Sequence, residues 1–246
     1  VILLIDAGNS RFKWAALERG RLSPMQAKRY DSRCPASSVV EALGAVSPSR
    51  VVCASVLGQA FDRELETLLE GRFQAPVELV RTAPAGHGVR IAYPRPERLG
   101  VDRYVALIAA HVLFPGLCIV VDCGTAVTID AVSRDGVHRG GLILPGLGLM
   151  RDALTSRAAR IGTIEPGAEP ALFARDTGEA VQGGTLRALA GAIDAICAQM
   201  ESEMGTVQRV ICGGEAPCLL PALRGAYHGE PALVLRGLAV IARSKS

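Results

Sequence analysis

Two short segments carry residue types that handle phosphates and metal ions: Asp6-Ala7-Gly8-Asn9-Ser10 and Asp122-Cys123-Gly124-Thr125. Each closes a strongly apolar run, Val1–Ile5 in the first case and Ile119–Val121 in the second. The pattern reads as a buried strand ending in Asp-x-Gly-(Asn/Thr), then a turn into a second strand. A carboxylate there can reach a metal ion or a water bound to it. The glycine permits a tight turn whose amide N–H groups face a phosphate, and the Asn, Ser and Thr side chains add short polar contacts. One such turn is an ordinary strand connection. Two of them, in the two halves of one chain, point to a nucleotide phosphate tail held between paired domains. The chain has no G-x-x-x-x-G-K-(S/T) loop and no G-x-G-x-x-G opening a helix after a strand, which sets it apart from P-loop and dinucleotide folds. Lys13 follows the first turn and suits either a phosphate contact or a solvated strand position.

Other constellations are weaker alone. Gly100-Val101-Asp102-Arg103 follows a loop containing Pro84, Pro94 and Pro96 and opens a helix. Asp102 in a first helical turn is favoured by the helix dipole, which is a sufficient structural reason for it. The same pair could take a proton from a substrate hydroxyl and grip a substrate anion. Gly213-Gly214-Glu215-Ala216 follows a short apolar strand and leaves room for a ribose or a flat ring. His87, His111, His138 and His228 show no metal-ligand spacing, and no serine sits in a G-x-S-x-G elbow.

These residues need a scaffold of strands and helices. The first strand at Ile2–Ile5 pairs with Lys13–Leu17; strands follow at Arg50–Ser55 and Val77–Val80, and helices at Ser37–Leu43, Gln59–Phe73 and from Val101 onward. Pro115-Gly116 ends that helix, which sets a boundary between an N-terminal domain, 1–115, and a C-terminal domain, 116–246. The second half repeats the scheme: Leu117–Val121, the Asp turn, Ala126–Val132, the glycine-bracketed segment Gly140–Gly146, a helix at about Leu149–Arg160, and a Gly/Pro-rich loop at Ile161–Ala174. The strongest helical periodicity covers Val181–Met204; a strand at Val207–Cys212 and a last helix near Gly237–Ala242 complete it. The recurrence implies an α/β protein built by duplication of a whole half. At 246 residues the chain is long enough for two cores. A net charge of +3 gives no reason to expect nucleic acid or an anionic membrane as partner. Seven cysteines without a C-x-x-C pair read as reduced thiols of a cytosolic protein, with Cys123 a small filler inside its turn. No stretch reads as a transmembrane span or a signal peptide.

The ordered set Asp6–Ser10, Gly100–Arg103, Asp122–Thr125 and Gly140-Gly141-Leu142-Ile143-Leu144-Pro145-Gly146 resembles type III pantothenate kinase, a family also named after a Bordetella accessory factor. That family lies within the superfamily of actin, sugar kinases and acetate kinase, and the resemblance runs nearly end to end. It implies two duplicated actin-like ATPase domains, each a mixed sheet flanked by helices, with a nucleotide cleft between them. It implies that Asp6, Ala7, Gly8, Asn9, Ser10, Arg11, Phe12 and Lys13 form the first ATP-binding loop and that Thr125 contacts phosphate in the second. Magnesium would lie near Asp6 through water, and Asp122 would bind a monovalent cation, potassium or ammonium. Asp102 corresponds to the proton acceptor, Gly100, Val101, Asp102 and Arg103 to the pantothenate-binding turn, and Tyr93 to a substrate-contacting tyrosine. Thr177 corresponds to a substrate contact supplied across a homodimer interface, although Asp176 stands where the family pattern expects Asn. The implied reaction is ATP-dependent phosphorylation of pantothenate to 4′-phosphopantothenate, in the cytoplasm, as the first step toward coenzyme A. The competing expectation is a non-catalytic regulator on the same fold; the joint presence of Asp6, Asp102, Arg103, Asp122 and Thr125 argues for the kinase.

Overall fold

The computed structural model describes residues 1–30, 36–157 and 172–244. The chain begins with a hairpin of β1 (Ile2–Ala7) and β2 (Arg11–Glu18), extended by β3 (Arg21–Leu22) and β4 (Gln26–Arg29). Next come α1 (Ala36–Ala42), β5 (Arg50–Ser55), α2 (Gln59–Phe73), β6 (Val77–Leu79), the small hairpin β7 (Ala85–Gly86) and β8 (Val89–Arg90), and α3 (Val101–Leu113). The second half supplies β9 (Cys118–Cys123), β10 (Ala126–Val132), β11 (His138–Pro145), α4 (Leu147–Arg157), α5 (Thr177–Met204), β12 (Gln208–Cys212), α6 (Ala216–Leu219), β13 (His228–Gly229) and α7 (Leu233–Arg243).

Chain contacts divide these elements into two compact units. The first comprises Val1–Gly116, Val132–Gly140 and Ala232–Ser246; the second comprises Leu117–Ala131 and Gly141–Pro231. In the first, the sheet order is β3-β2-β1-β5-β6, with β4 also on β2. β1 runs antiparallel to β2 and parallel to β5, so the sheet is mixed. Leu3, Ile5, Phe12, Val51 and Cys53 meet Val39, Leu65 and Leu69 in one core cluster. The strand period of two sends Leu4 and Asp6 to the opposite face, and α7 packs against both β1 and α3. In the second unit the order is β11-β10-β9-β12-β13, with β12 parallel to β9 and Cys212 opposite Asp122. Ile119, Val121, Ile129, Leu189, Ile193 and Ile211 form its core.

The units depart from a division at 115/116. The C-terminal helix α7 and residues 132–140 cluster with the first unit. The physical reason for α7 is its fit on α3: a Cβ at Gly237 would collide with the Val105 carbonyl and lie 2.7 Å from Val105 Cγ1. Only a glycine lets the helices approach that closely. α7 also starts at Leu233, with Leu233, Val234 and Leu235 buried, so it is longer than the sequence pattern around 237–242 suggests. α5 starts at Thr177 rather than Val181, because capping by Asp176 and Glu179 outweighs the dilution of its apolar stripe by Gly178, Gly183 and Gly184. The Gly140–Gly146 segment is largely strand β11, and α4 begins at Leu147. The sequence-based extension of α4 to Arg160 and most of the 161–174 loop lie outside the described residues.

Candidate active site

Asp6 and Asp122 occupy equivalent places, each the penultimate residue of a strand that opens a hairpin. In the first unit Asp6 is 6 % exposed and faces Lys13 in the β1–β2 register. Lys13 Nζ lies 3.6 Å from Asp6 Oδ2, with both side chains mostly buried. Lys13 is therefore an ion-pair partner, and the solvated-strand alternative does not hold. The turn between them is closed by the Gly8 N–H donating to the Arg11 carbonyl at 3.0 Å. Tyr30 fastens it twice, its hydroxyl donating to the Gly8 carbonyl and its N–H to the Ser10 carbonyl at 3.1 Å. Phe12 is fully buried, stacked between Trp14 and Tyr30 at centroid distances of 4.8 and 5.8 Å, so its side chain belongs to the core beneath the turn. Asn9 and Ser10 are exposed. Gly8 and Gly124 do not use the left-handed backbone region; a would-be Cβ on Gly8 would instead sit 3.1 Å from the Arg11 carbonyl.

A second group in the first unit surrounds the start of α3. Gly100 is its N-cap, without a side-chain cap. The preceding loop is closed at its base by Thr82 Oγ1 donating to the Leu99 carbonyl at 2.9 Å. Val101 points into the core at 8 % exposure. Asp102 is half-buried in the first turn, and its Oδ1 accepts from the Arg103 N–H at 2.8 Å. Arg103 is 7 % exposed, and its Nη1 donates to the Tyr93 hydroxyl at 3.3 Å, with the guanidinium 5.8 Å from the ring centroid. The structure thus brings Tyr93 and Arg103 together across ten residues of chain. A nearly buried guanidinium is compatible with the interior only where polar or anionic groups meet it, and the Tyr93 hydroxyl is one of them.

In the second unit the Asp122 turn meets two glycine-containing segments. Gly213 has φ +92°, and a Cβ there would collide with Asp122 Oδ1 and the Cys123 carbonyl. A side chain is excluded both by conformation and by space. Gly146 donates its N–H to the Thr125 carbonyl at 3.0 Å, and its own Cβ would lie 2.7 Å from that oxygen. Thr125 is exposed at the tip. Glu215 ties the pieces together: its N–H donates to the Cys123 carbonyl at 2.8 Å, while its carboxylate accepts from the Leu147 N–H at 2.9 Å and the Gly148 N–H at 3.3 Å. The carboxylate caps α4 from another element, a role invisible in the local sequence because cap and helix are 68 residues apart. Burial, then the nearby Asp122 and Glu215 charges, push the Cys123 thiol far up, so it stays protonated and inert. Thr177 is exposed at the start of α5, where Asp176 Oδ1 accepts from the Glu179 N–H at 2.9 Å. Aspartate serves as an N-cap as well as asparagine does, which accounts for the residue at 176.

A Baf family protein from Campylobacter jejuni superposes with a TM-score of 0.63 at 19% identity, covering 99% of this chain and 98% of its own. A protein from Sinorhizobium meliloti described as a 2-dehydro-3-deoxygalactonokinase gives 0.62 at 17% identity, with 99% and 96% covered. The fold is that of the actin-like ATPases and sugar kinases. Residues 2–199 match the family model of type III pantothenate kinase. A type III pantothenate kinase of Nitrosococcus oceani is 39% identical over 256 residues, spanning 100% of this chain and 95% of that protein. The chain belongs to the type III pantothenate kinase family. It is a kinase that phosphorylates pantothenate with ATP in coenzyme A biosynthesis. Among the described residues, no helix is long and apolar enough to cross a membrane.

Proposed function

We propose that the turn Gly100–Arg103 is the acceptor site and that Asp102 is its general base. The carrying observation is the pairing, on successive residues, of a half-buried carboxylate with a nearly buried guanidinium held against Tyr93. The C4′ hydroxyl oxygen of pantothenate attacks the γ-phosphorus, its proton passes to the Asp102 carboxylate, and the bond between the γ-phosphorus and the bridging oxygen breaks to release ADP. Asp102 supplies the proton sink, while Arg103 neutralises the substrate carboxylate or the charge spreading over the phosphoryl oxygens. Thr177 of a second copy completes the pocket, so the working assembly is a homodimer.

The turn Asp6–Lys13 and Thr125 hold the ATP phosphates. A single carboxylate at Asp6 suits magnesium, which keeps much of its water and takes further oxygens from phosphate. Lys13, already paired with Asp6, adds positive charge beside it. Asp122, whose carboxylate lies beside the Cys123 carbonyl where Gly213 leaves no room for a Cβ, would hold a potassium or ammonium ion through oxygen. A bound monovalent cation would supply fixed positive charge near the phosphates.

The test is ADP release from purified protein with ATP, magnesium and pantothenate, run in potassium and again in sodium only. Pantothenate-dependent turnover that falls in sodium, and a loss of that difference in Asp122→Asn, are expected. Turnover indifferent to the cation removes Asp122 from cation binding.

A further inference from the structure

His138 is fully buried, although imidazole is a polar group that ordinarily keeps contact with water. It opens β11, at the base of the 133–137 hairpin tip, and that tip is fastened to the loop ahead of Tyr93. Arg90 donates its N–H to the Gly136 carbonyl at 2.9 Å, and Arg90 and Val137 form a parallel bridge. This registration sets the His138 ring beside Tyr93, with centroids 5.7 Å apart and planes inclined by 28°. Residues 91–95, which include Tyr93, belong to no helix or strand. The orientation of the Tyr93 ring therefore depends on side-chain packing rather than on a backbone ladder. The same ring carries the hydroxyl that accepts from Arg103 Nη1 and lies under the Arg103 guanidinium. A flat ring on one side and a cation on the hydroxyl form a relay from His138 to Arg103.

We infer that His138 is a positioning residue of the acceptor pocket: its ring fixes the plane of Tyr93, and the Tyr93 hydroxyl fixes the guanidinium of Arg103. The inference rests on the reading of Tyr93 and Arg103 as pantothenate contacts. It assigns binding of the acceptor, not of ATP, to a residue in the second half of the chain. Flatness is what the role requires, so a phenyl ring should serve and an aliphatic chain of similar volume should not.

The experiment compares His138→Leu with His138→Phe in steady-state kinetics of the full chain, with melting temperatures recorded for each. His138→Leu is expected to raise the KM for pantothenate about 3- to 10-fold, the span of one aromatic pair expressed as a ratio of constants. The KM for ATP and kcat should stay within about twofold, as expected for loss of ground-state positioning. His138→Phe should keep the KM for pantothenate near that of the unaltered protein. A Leu variant indistinguishable from the unaltered protein, or a Phe variant as impaired as the Leu variant, overturns the inference. Tyr93→Leu measured alongside separates the two ideas. If Tyr93→Leu leaves the pantothenate constant unmoved, the acceptor-site reading fails. If Tyr93→Leu raises it and His138→Leu does not, only the role of His138 fails.

Discussion

Glu215→Ala probes the anchoring of the Thr125 turn. The Glu215 carboxylate accepts from the first backbone N–H groups of α4, those of Leu147 and Gly148. Removing an N-cap acceptor costs about 0.5–2 kcal/mol. Losing a negative charge at a helix start adds about 0.3–1 kcal/mol. Together they give roughly 1–3 kcal/mol, and for a chain of this size each kcal/mol moves Tm by about 2–4 °C. Glu215→Ala should lower Tm by roughly 2–12 °C. Glu215→Gln keeps an acceptor oxygen without the charge and should lose about half as much. A functional effect follows from the neighbouring residue: Gly146, immediately before α4, donates to the Thr125 carbonyl at 3.0 Å. Loosening the helix start should let the Thr125 turn drift and raise the KM for ATP while the KM for pantothenate holds. Differential scanning calorimetry and initial rates at varied ATP read both effects. A Glu215→Ala protein with Tm within 1 °C of the unaltered chain and the same KM for ATP would refute the reasoning.

Asp102→Asn should cut kcat by about 10²–10⁴, the range for a lost general base, with ATP binding by calorimetry little changed; near-normal turnover would remove Asp102 from the chemistry. Thr177→Ala should raise the KM for pantothenate more than that for ATP, and a shift in the ATP constant alone would show that Thr177 has no acceptor role. Burial pushes the Cys118 thiol from 9.0 up to about 12, and the Cys53 and Cys123 thiols are raised further. Iodoacetamide at pH 8 should therefore label exposed Cys218 and spare Cys53, Cys118 and Cys123 in the native state, as read by peptide mass spectrometry. The same groups hold their protons more tightly when folded than when unfolded, so their contribution to stability is complete below the unfolded value near 9 and is lost as pH rises past it. The urea midpoint should fall from pH 8 to pH 10, and Cys118→Ala should flatten that slope; an unchanged slope would show that Cys118 does not carry it.

What was legible in the sequence was what lies close together along it. Asp6 and Lys13 share one hairpin, and Gly100–Arg103 share one helical turn, so spacing marked them as candidates, while the roles of Lys13 and of Gly100–Arg103 came from the resemblance. The Tyr93–Arg103 contact spans a loop without periodicity, and the resemblance to a family pointed to Tyr93 where pattern did not. His138 and Glu215 escaped because their partners are remote: Tyr93 is reached only when a hairpin tip docks, and α4 begins far along the chain from the turn after β12 that presents Glu215. The membership of α7 was hidden for the same reason, since its fit is recorded in a single glycine facing the Val105 carbonyl. Burial, not propensity, decided each of these.

The placement of α7 bears on how the protein comes to exist. The strand that carries Asp6 is made before the second unit, yet the helix that packs against it, and along the helix bearing Asp102, is made after that unit. During vectorial synthesis the first unit must wait with Leu4 and Val105 uncovered while the whole second unit emerges and folds. A nascent chain stalled before residue 233 should therefore present an open apolar face to chaperones, and the two aspartates should reach their final setting only once translation has passed α7.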